Sequence, residues 1–410
     1  MSGRRRRGNG RGIVMLKNNR GYTLPELIVV MAIFIIVMVV TSNGFNTVLK
    51  QVGKQSKMME TDIGNVIGLE QLRSDLQNAG YGLPWVFQAS PSTTKYVEVA
   101  TGDSGMPISA GFWEAGITPR SFNDATGGVP RAVQSADTTF NEVDGVGSKY
   151  LVLKSLSVAP GNTQKKYVTV TYSDTAKSAS QWNSADRDFE TATDSTERVM
   201  VIRNTFIDGV PSRQLQVDSA NGTFAAAFKN YTTLTQPHSS GDVFQVYGID
   251  ATGSDPRMPF NRADYYVNRP SNISPTCAPS TGVLYKAVLN HSGGFKETAL
   301  LDCVADMQVV YGVGPAGTPD INFHQTTPPG TGSAKDIREQ LKEIRLYILG
   351  HEGKKDTGFS QPSPVIKVGE NFSGVLLGRN FDLSAVIGAD WSHYRWKLYT
   401  IVVRPQNLIQ

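Results

Sequence analysis

From Leu27 to Leu49 the 410-residue chain carries no charged side chain, and a single acid, Glu26, stands directly before this run. Nothing else in the sequence restricts the fold as strongly. As a helix rising about 1.5 Å per residue, the run reaches about 34 Å, enough to cross the hydrocarbon core of a bilayer. Arg4 to Arg7, Arg11, Lys17 and Arg20 all precede it. Positive flanks stay in the cytoplasm, so the bulk of the chain faces the opposite side. A secretory signal peptide would be cut after the apolar region, at small residues. Here Met38-Val-Val-Thr-Ser-Asn43 runs on without such a site, so the apolar rod stays attached. A carboxylate at the edge of a membrane span is costly and marks a functional position that needs a partner.

Gly21-Tyr-Thr-Leu-Pro-Glu26 and the apolar run behind it resemble the class III signal of type IV pilins and pseudopilins. The resemblance implies that a prepilin peptidase cuts after Gly21, methylates the new terminus at Tyr22 and leaves the rod in place. The family usually has Phe where this chain has Tyr22, which keeps a large aromatic. The partner expected for Glu26 is the α-ammonium of Tyr22, in the same chain or a neighbouring copy. Met15 offers a second start that would leave a shorter, still basic leader. Residues 69–82 are further similar to the end of the first helix in PilW-type minor pilins and the related J-type pseudopilins, and the C-terminal segments 299–313, 336–349 and 394–404 resemble the PilW family. Together with the signal, the likeness covers both ends, roughly half the chain.

The expected fold is α+β and pilin-like, a long N-terminal helix packed on an antiparallel β-sheet with an enlarged β-rich insertion. The expected division is a cleaved leader (1–21), a membrane-spanning or filament-core half-helix (22–50) and an amphipathic half-helix (51–82). An elaborated β-rich head (83–270) and a C-terminal sheet region (271–410) follow. The function implied is that of a minor type IV pilin that helps initiate or cap a pilus. The alternatives are a J-type minor pseudopilin of a type II secretion system, or a tip adhesin or DNA-capture module. The implied partners are the prepilin peptidase, the major pilin and other minor pilins, the inner-membrane assembly platform, and membrane lipid before assembly. The implied location is the bacterial inner membrane, single-pass with a cytoplasmic N-terminus, and then the pilus at the cell surface.

The leader holds seven basic residues and no acid, so its removal takes the formal net charge from +4 to −3. The basic balance therefore belongs to the leader and indicates no nucleic-acid surface. Forty glycines and 21 prolines, with many Ser, Thr and Asn, point to a loop-rich β body. Cys277 and Cys303 lie beyond the span, in an oxidising compartment, and are expected to pair, stabilising the fold by about 3 kcal/mol.

Met59, Ile63, Val66, Ile67, Leu69, Leu72, Leu76 and Ala79 recur at three- and four-residue spacing, an amphipathic stripe. Lys54, Lys57, Glu60, Asp62, Glu70, Arg73 and Asp75 fill much of the other face. Gly80 and Gly82, with Pro84 beyond, predict the helix stop. Ser42-Asn43-Gly44 is the weak point in propensity, where the rod would unwind locally inside a filament. Strands are expected at 96–100, 150–156, 167–172, 199–203, 215–218 and 243–247. Residues 299–313 read as a turn leading into a buried strand, 336–349 as a short helix running into a strand, and 394–404 as the closing strand.

Enzyme-like motifs lack their complements. Gly102-Asp-Ser-Gly-Met-Pro107 nearly spells the nucleophile segment of chymotrypsin-like proteases, but all five histidines follow Ser104. That chemistry places its histidine base before the serine. Gly312-Val-Gly-Pro-Ala-Gly317 has the form GxGxxG, yet Thr-Pro-Asp follows where a phosphate loop must open a helix. Asp250 and Asp255 around Thr252-Gly-Ser lack EF-hand spacing. No histidine pair has metal-ligand spacing, so no catalytic, cofactor or metal role is expected.

Overall fold

The structure, a computed structural model, describes residues 23–87, 96–105, 107, 117–125, 127–173, 177–180, 188–189, 196–251, 255–330 and 332–408. The chain divides into two compact units, Met1–Lys57 and Met58–Gln410. Helix α1 (Leu24–Gln77) begins in the first and ends in the second.

The second unit is β-rich. Its first strands are β1 (Val86–Phe87), β2 (Val133–Asp137), β3 (Lys149–Ser155), β4 (Tyr167–Tyr172), β5 (Lys177–Ser180) and β6 (Arg198–Ile207). Next come β7 (Val210–Leu215), β8 (Ala225–Ala227), β9 (Val243–Asp250), β10 (Asn261–Asn268), β11 (Gly282–Leu289), β12 (Phe295–Val313) and β13 (Phe323–Gln325). Helix α2 (Ala334–Gln340) runs into β14 (Leu341–Glu352), followed by β15 (Val365–Phe372), β16 (Val375–Asp382), α3 (Leu383–Ile387) and β17 (Arg395–Val403).

An eight-stranded sheet has the order β17-β14-β12-β11-β10-β3-β2, with β13 added to β12. A seven-stranded sheet has the order β1-β7-β6-β9-β4-β5, with β8 on β6, and β15 pairs with β16 alone. Pairing is antiparallel except between β1 and β7. The sheets are held by side chains of alternating direction. In β6, Met200 and Ile202 enter the main core while Val199 and Val201 enter a second core with Phe228, Tyr231 and Phe244. In β14, Ile344, Leu346 and Ile348 enter the main core while Tyr347 and Leu349 face a third core beneath β15 and β16. That is the period-2 signature of strands buried on both sides.

Within the second unit, the end of α1 packs on the main core through Leu72, Leu76 and Ala79, all fully buried. The inward face is Gly68, Leu72, Asp75, Leu76 and Ala79, a strict three- and four-residue repeat. This corrects the phase of the expected stripe, because Val66 and Ile67 are exposed. The reason is contact distance. A Cβ on Gly68 would stand 2.1 Å from the Leu300 carbonyl oxygen, so only glycine lets the helix lie this close to β12. The side chains of Met59 and Ile63 lie outside the described residues. The helix ends at Gln77, and the chain turns through Gly80 (φ 82°) and Gly82 (φ 74°). A Cβ on Gly82 would meet Leu156 Cδ1 at 2.1 Å.

Three expected local elements differ. Residues 96–100 form no strand, because their backbone bonds to side chains: Val99 N donates to Asn123 Oδ1 and Ala100 N to Asp103 Oδ2. Residues 216–218 lie beyond the end of β7, where Asp218 instead closes a turn with Gly222 and Thr223. Residues 299–303 form no turn. β12 is continuous over 19 residues and shifts register between Val304 and Asp306, beside Cys303 at φ 57°, so a bulge bends the strand where a turn was expected. Cys303 is bonded to Cys277, which ties this bulge to the loop before β11.

Candidate functional site: the apolar helix and its anchorage

Gly21 and Tyr22 lie outside the described residues. From Thr23 onward the local logic is visible. Thr23 caps α1: its backbone N and its Oγ1 donate to Glu26 Oε2 at 2.9 and 3.0 Å, and Leu27 N donates to Thr23 O at 3.2 Å. This is the glutamate half of the end-cap that a Thr-x-x-Glu spacing allows, the carboxylate reaching back to the N-cap, and Pro25 fits because the first turn has no intrahelical N–H bond to lose. Glu26 therefore does local work, and its acidic charge also suits the positive end of the helix dipole.

Leu24–Phe45 is long and apolar enough to span a membrane, and its side chains are exposed throughout. Ile28, Phe34, Ile36 and Val40 are each more than half exposed. Apolar surface on this scale does not persist in water and demands lipid or other subunits around it. The helix continues unbroken through Ser42-Asn43-Gly44 in this chain.

In the second unit, the carboxylate on the inward face fixes the helix. Asp75 Oδ2 accepts from Lys286 Nζ at 2.6 Å and from Tyr265 Oη at 2.5 Å. Burial pushes the Asp75 carboxyl above its ordinary value, with the Lys286 ammonium and the Tyr265 hydroxyl pulling it back. Asp75 was expected on the solvated face. The signal for its true place was its spacing of three from Leu72 and four from Ala79, which a stripe phased on Val66 and Ile67 hides.

The enzyme-like segments are otherwise employed. Asp103 pairs with Arg257 at 3.1 Å, and the Ser104 carbonyl accepts from Phe295 N. His291 bonds Asn261, His351 accepts from Ala278 N, His393 bonds the Phe359 carbonyl, His324 faces Glu343, and His238 stacks on Tyr172. Gly312 and Val313 close β12 against β13, and the glycines that follow form a loop with no helix behind it. Residues 252–254 of the acidic loop lie outside the described residues, and Asp255 pairs with Arg198 at 3.2 Å. Among the described residues, no cluster of three or more His, Cys, Asp or Glu side chains is placed to hold a metal ion.

Residues 16–42 match the model of the prokaryotic N-terminal methylation motif. Over these residues the chain is similar to type IV pilin-like proteins. The motif covers the end of the leader, Gly21, Tyr22, Glu26 and most of the apolar rod. It supports a type IV pilin-like or pseudopilin-like protein, and points to a structural protein rather than an enzyme. It implies processing by a prepilin peptidase, and with the apolar helix it fits a membrane-anchored pilin at the inner membrane. No curated protein and no solved structure matches the chain.

Proposed function

We propose that the protein is a minor type IV pilin of the PilW type, which starts or caps a pilus together with other minor pilins. The observation that carries this reading is a methylation motif leading into an exposed apolar helix whose only ionisable group from Leu24 to Leu49 is Glu26. In this reading the peptidase frees the α-amine of Tyr22, and the rods of several subunits leave lipid and bury against one another. Glu26 then neutralises a neighbouring terminal ammonium. Misregistered insertion would leave a buried unpaired charge, at a cost of several kcal/mol. The size of the unit Met58–Gln410 favours a place at the filament tip, because so large a head is hard to repeat along a thin fibre.

Deleting the gene and scoring surface pili and exoprotein secretion together tests the assignment. Loss of pili with normal secretion is expected. Normal piliation with failed secretion would instead assign the chain to a type II secretion pseudopilus, which shares the motif.

A further inference from the structure

Where the loops bearing Glu98 and Asp124 fold over β3 and β10, one amine and two carboxylates are shut away from water together. Lys154 of β3 is fully buried, with its Nζ 2.5 Å from Asp124 Oδ2 and 2.7 Å from Glu98 Oε2. Its remaining donor reaches the Phe122 carbonyl at 2.8 Å, and the Phe260 ring centroid stands 5.4 Å away. Glu98 is fully buried as well, and the Asp124 side chain is 6% exposed. Each carboxylate is clamped. Glu98 Oε1 accepts from Asp124 N and Ala125 N, while Asp124 Oδ1 accepts from Arg131 Nε at 2.5 Å and its Oδ2 from Arg131 N at 2.8 Å. Arg262 holds Asp264 through Nε and Nη2, and its Nη1 reaches Glu98 Oε2 at 3.4 Å.

Lys154 touches two carboxylates in different settings: Asp124 is also paired with Arg131, and Glu98 is held by the backbone N–H groups of Asp124 and Ala125. We propose that Lys154 and Asp124 condense into an intramolecular amide, with Glu98 as the proton carrier. Glu98 Oε2 takes a proton from the Lys154 ammonium, and the freed lone pair attacks Asp124 Cγ, forming the Nζ–Cγ bond. Arg131 Nε, already on Oδ1, stabilises the negative charge that builds there. The Cγ–Oδ2 bond breaks, and Oδ2 departs as water carrying two of the three ammonium hydrogens, one of them delivered by Glu98. One hydrogen stays on the amide nitrogen and Glu98 is regenerated. One ammonium and one carboxylate give one amide and one water, with no change of oxidation state and no co-reactant. Two features of the site drive the step. Fixed contact between the reacting groups replaces an encounter, and desolvation favours a neutral product over a buried ion pair. The link would staple the loop of Asp124 to the strand order of the main sheet, a covalent restraint separate from the Cys277–Cys303 disulfide.

The test is peptide mapping of the full-length protein, purified in detergent and digested with trypsin after reduction. The expected result is a branched peptide joining residues 121–131 to residues 150–165, lighter by one water than the two together, with cleavage blocked after Lys154. Glu98→Gln is expected to leave the two peptides separate, and Lys154→Arg to abolish the link. Asp124→Asn that still links would lose ammonia in place of water, which also supports the site. Separate peptides of full mass from the wild-type protein would overturn the proposal, as would a branch that maps to Glu98. Because the decisive readout is on the wild-type chain, a variant that folds poorly does not blur it.

Discussion

Glu26 is the residue on which assembly is expected to turn. Its present partners are the two donors of Thr23, and both belong to its own helix end. Glu26→Leu should therefore leave membrane insertion and leader cleavage intact while reducing incorporation into filaments at least about tenfold, since the buried ammonium of a neighbour then lacks its counter-charge. Immunoblots of the leader-processed form and of sheared pili separate the two effects.

At the same scale, His291 and His351 are buried, and burial depresses both imidazoles to about 4 from an ordinary value of 6.5. A folded state that prefers neutral imidazole is favoured fully above pH 6.5, and the advantage is lost as pH falls toward 4. Asp75 and Asp306, whose carboxyls burial raises, act in the opposite sense. The measurement is therefore a difference. Wild type should lose stability relative to His351→Gln as pH drops from 6.5 to 4, read from thermal unfolding at each pH. A constant difference across that window would contradict the assignment.

Among the elements, α1 was the most legible in sequence, because an uncharged run and a downstream amphipathic pattern leave few other choices. The stop at Gly80 and Gly82 was legible too, since both residues need positive φ. What escaped was the helix's rotation. Val66 and Ile67 look like core residues, yet the close approach at Gly68 turns them outward and brings Asp75 in. Neither the Leu300 carbonyl nor Lys286 can be assigned to that face from local sequence. Strand β4 was readable to the residue from its alternation, whereas α2 was read as starting at 336 and in fact starts at Ala334, where the Ser333 Oγ accepts from Asp336 N. Residues 96–100 were misread because apolar alternation says nothing about where backbone donors go. The Lys154, Glu98 and Asp124 cluster gave no local signal, as its members are far apart in the chain.

Two variants probe the helix's seat. Asp75→Ala should cost about 3–5 kcal/mol by leaving Lys286 buried and unpaired, and Asp75→Leu with Lys286→Met should recover much of it. Chemical denaturation of the detergent-solubilised protein reads both, and equal losses would show that the pair does not hold the helix. Gly68→Val must displace the helix from Leu300, with an expected loss of about 1–3 kcal/mol in the same assay.

For the whole molecule, an apolar helix long enough to cross a membrane and a large β-rich unit were both foreseeable from charge-free length, glycine and proline content and the expected strands. The placement of β2, β3 and β10 beside β11, β12 and β14 in one sheet was not, because long-range pairing leaves no mark in local composition. The seven-stranded sheet, with its own second core, lies in the part of the chain for which the sequence offered no likeness. The proposed function rests on the other end and requires that the leader be removed while the apolar helix stays attached. Mass spectrometry of the N-terminal peptide of the purified protein tests this directly. A methylated Tyr22 at the terminus is expected; an intact leader, or a terminus beyond Val40, would contradict the account.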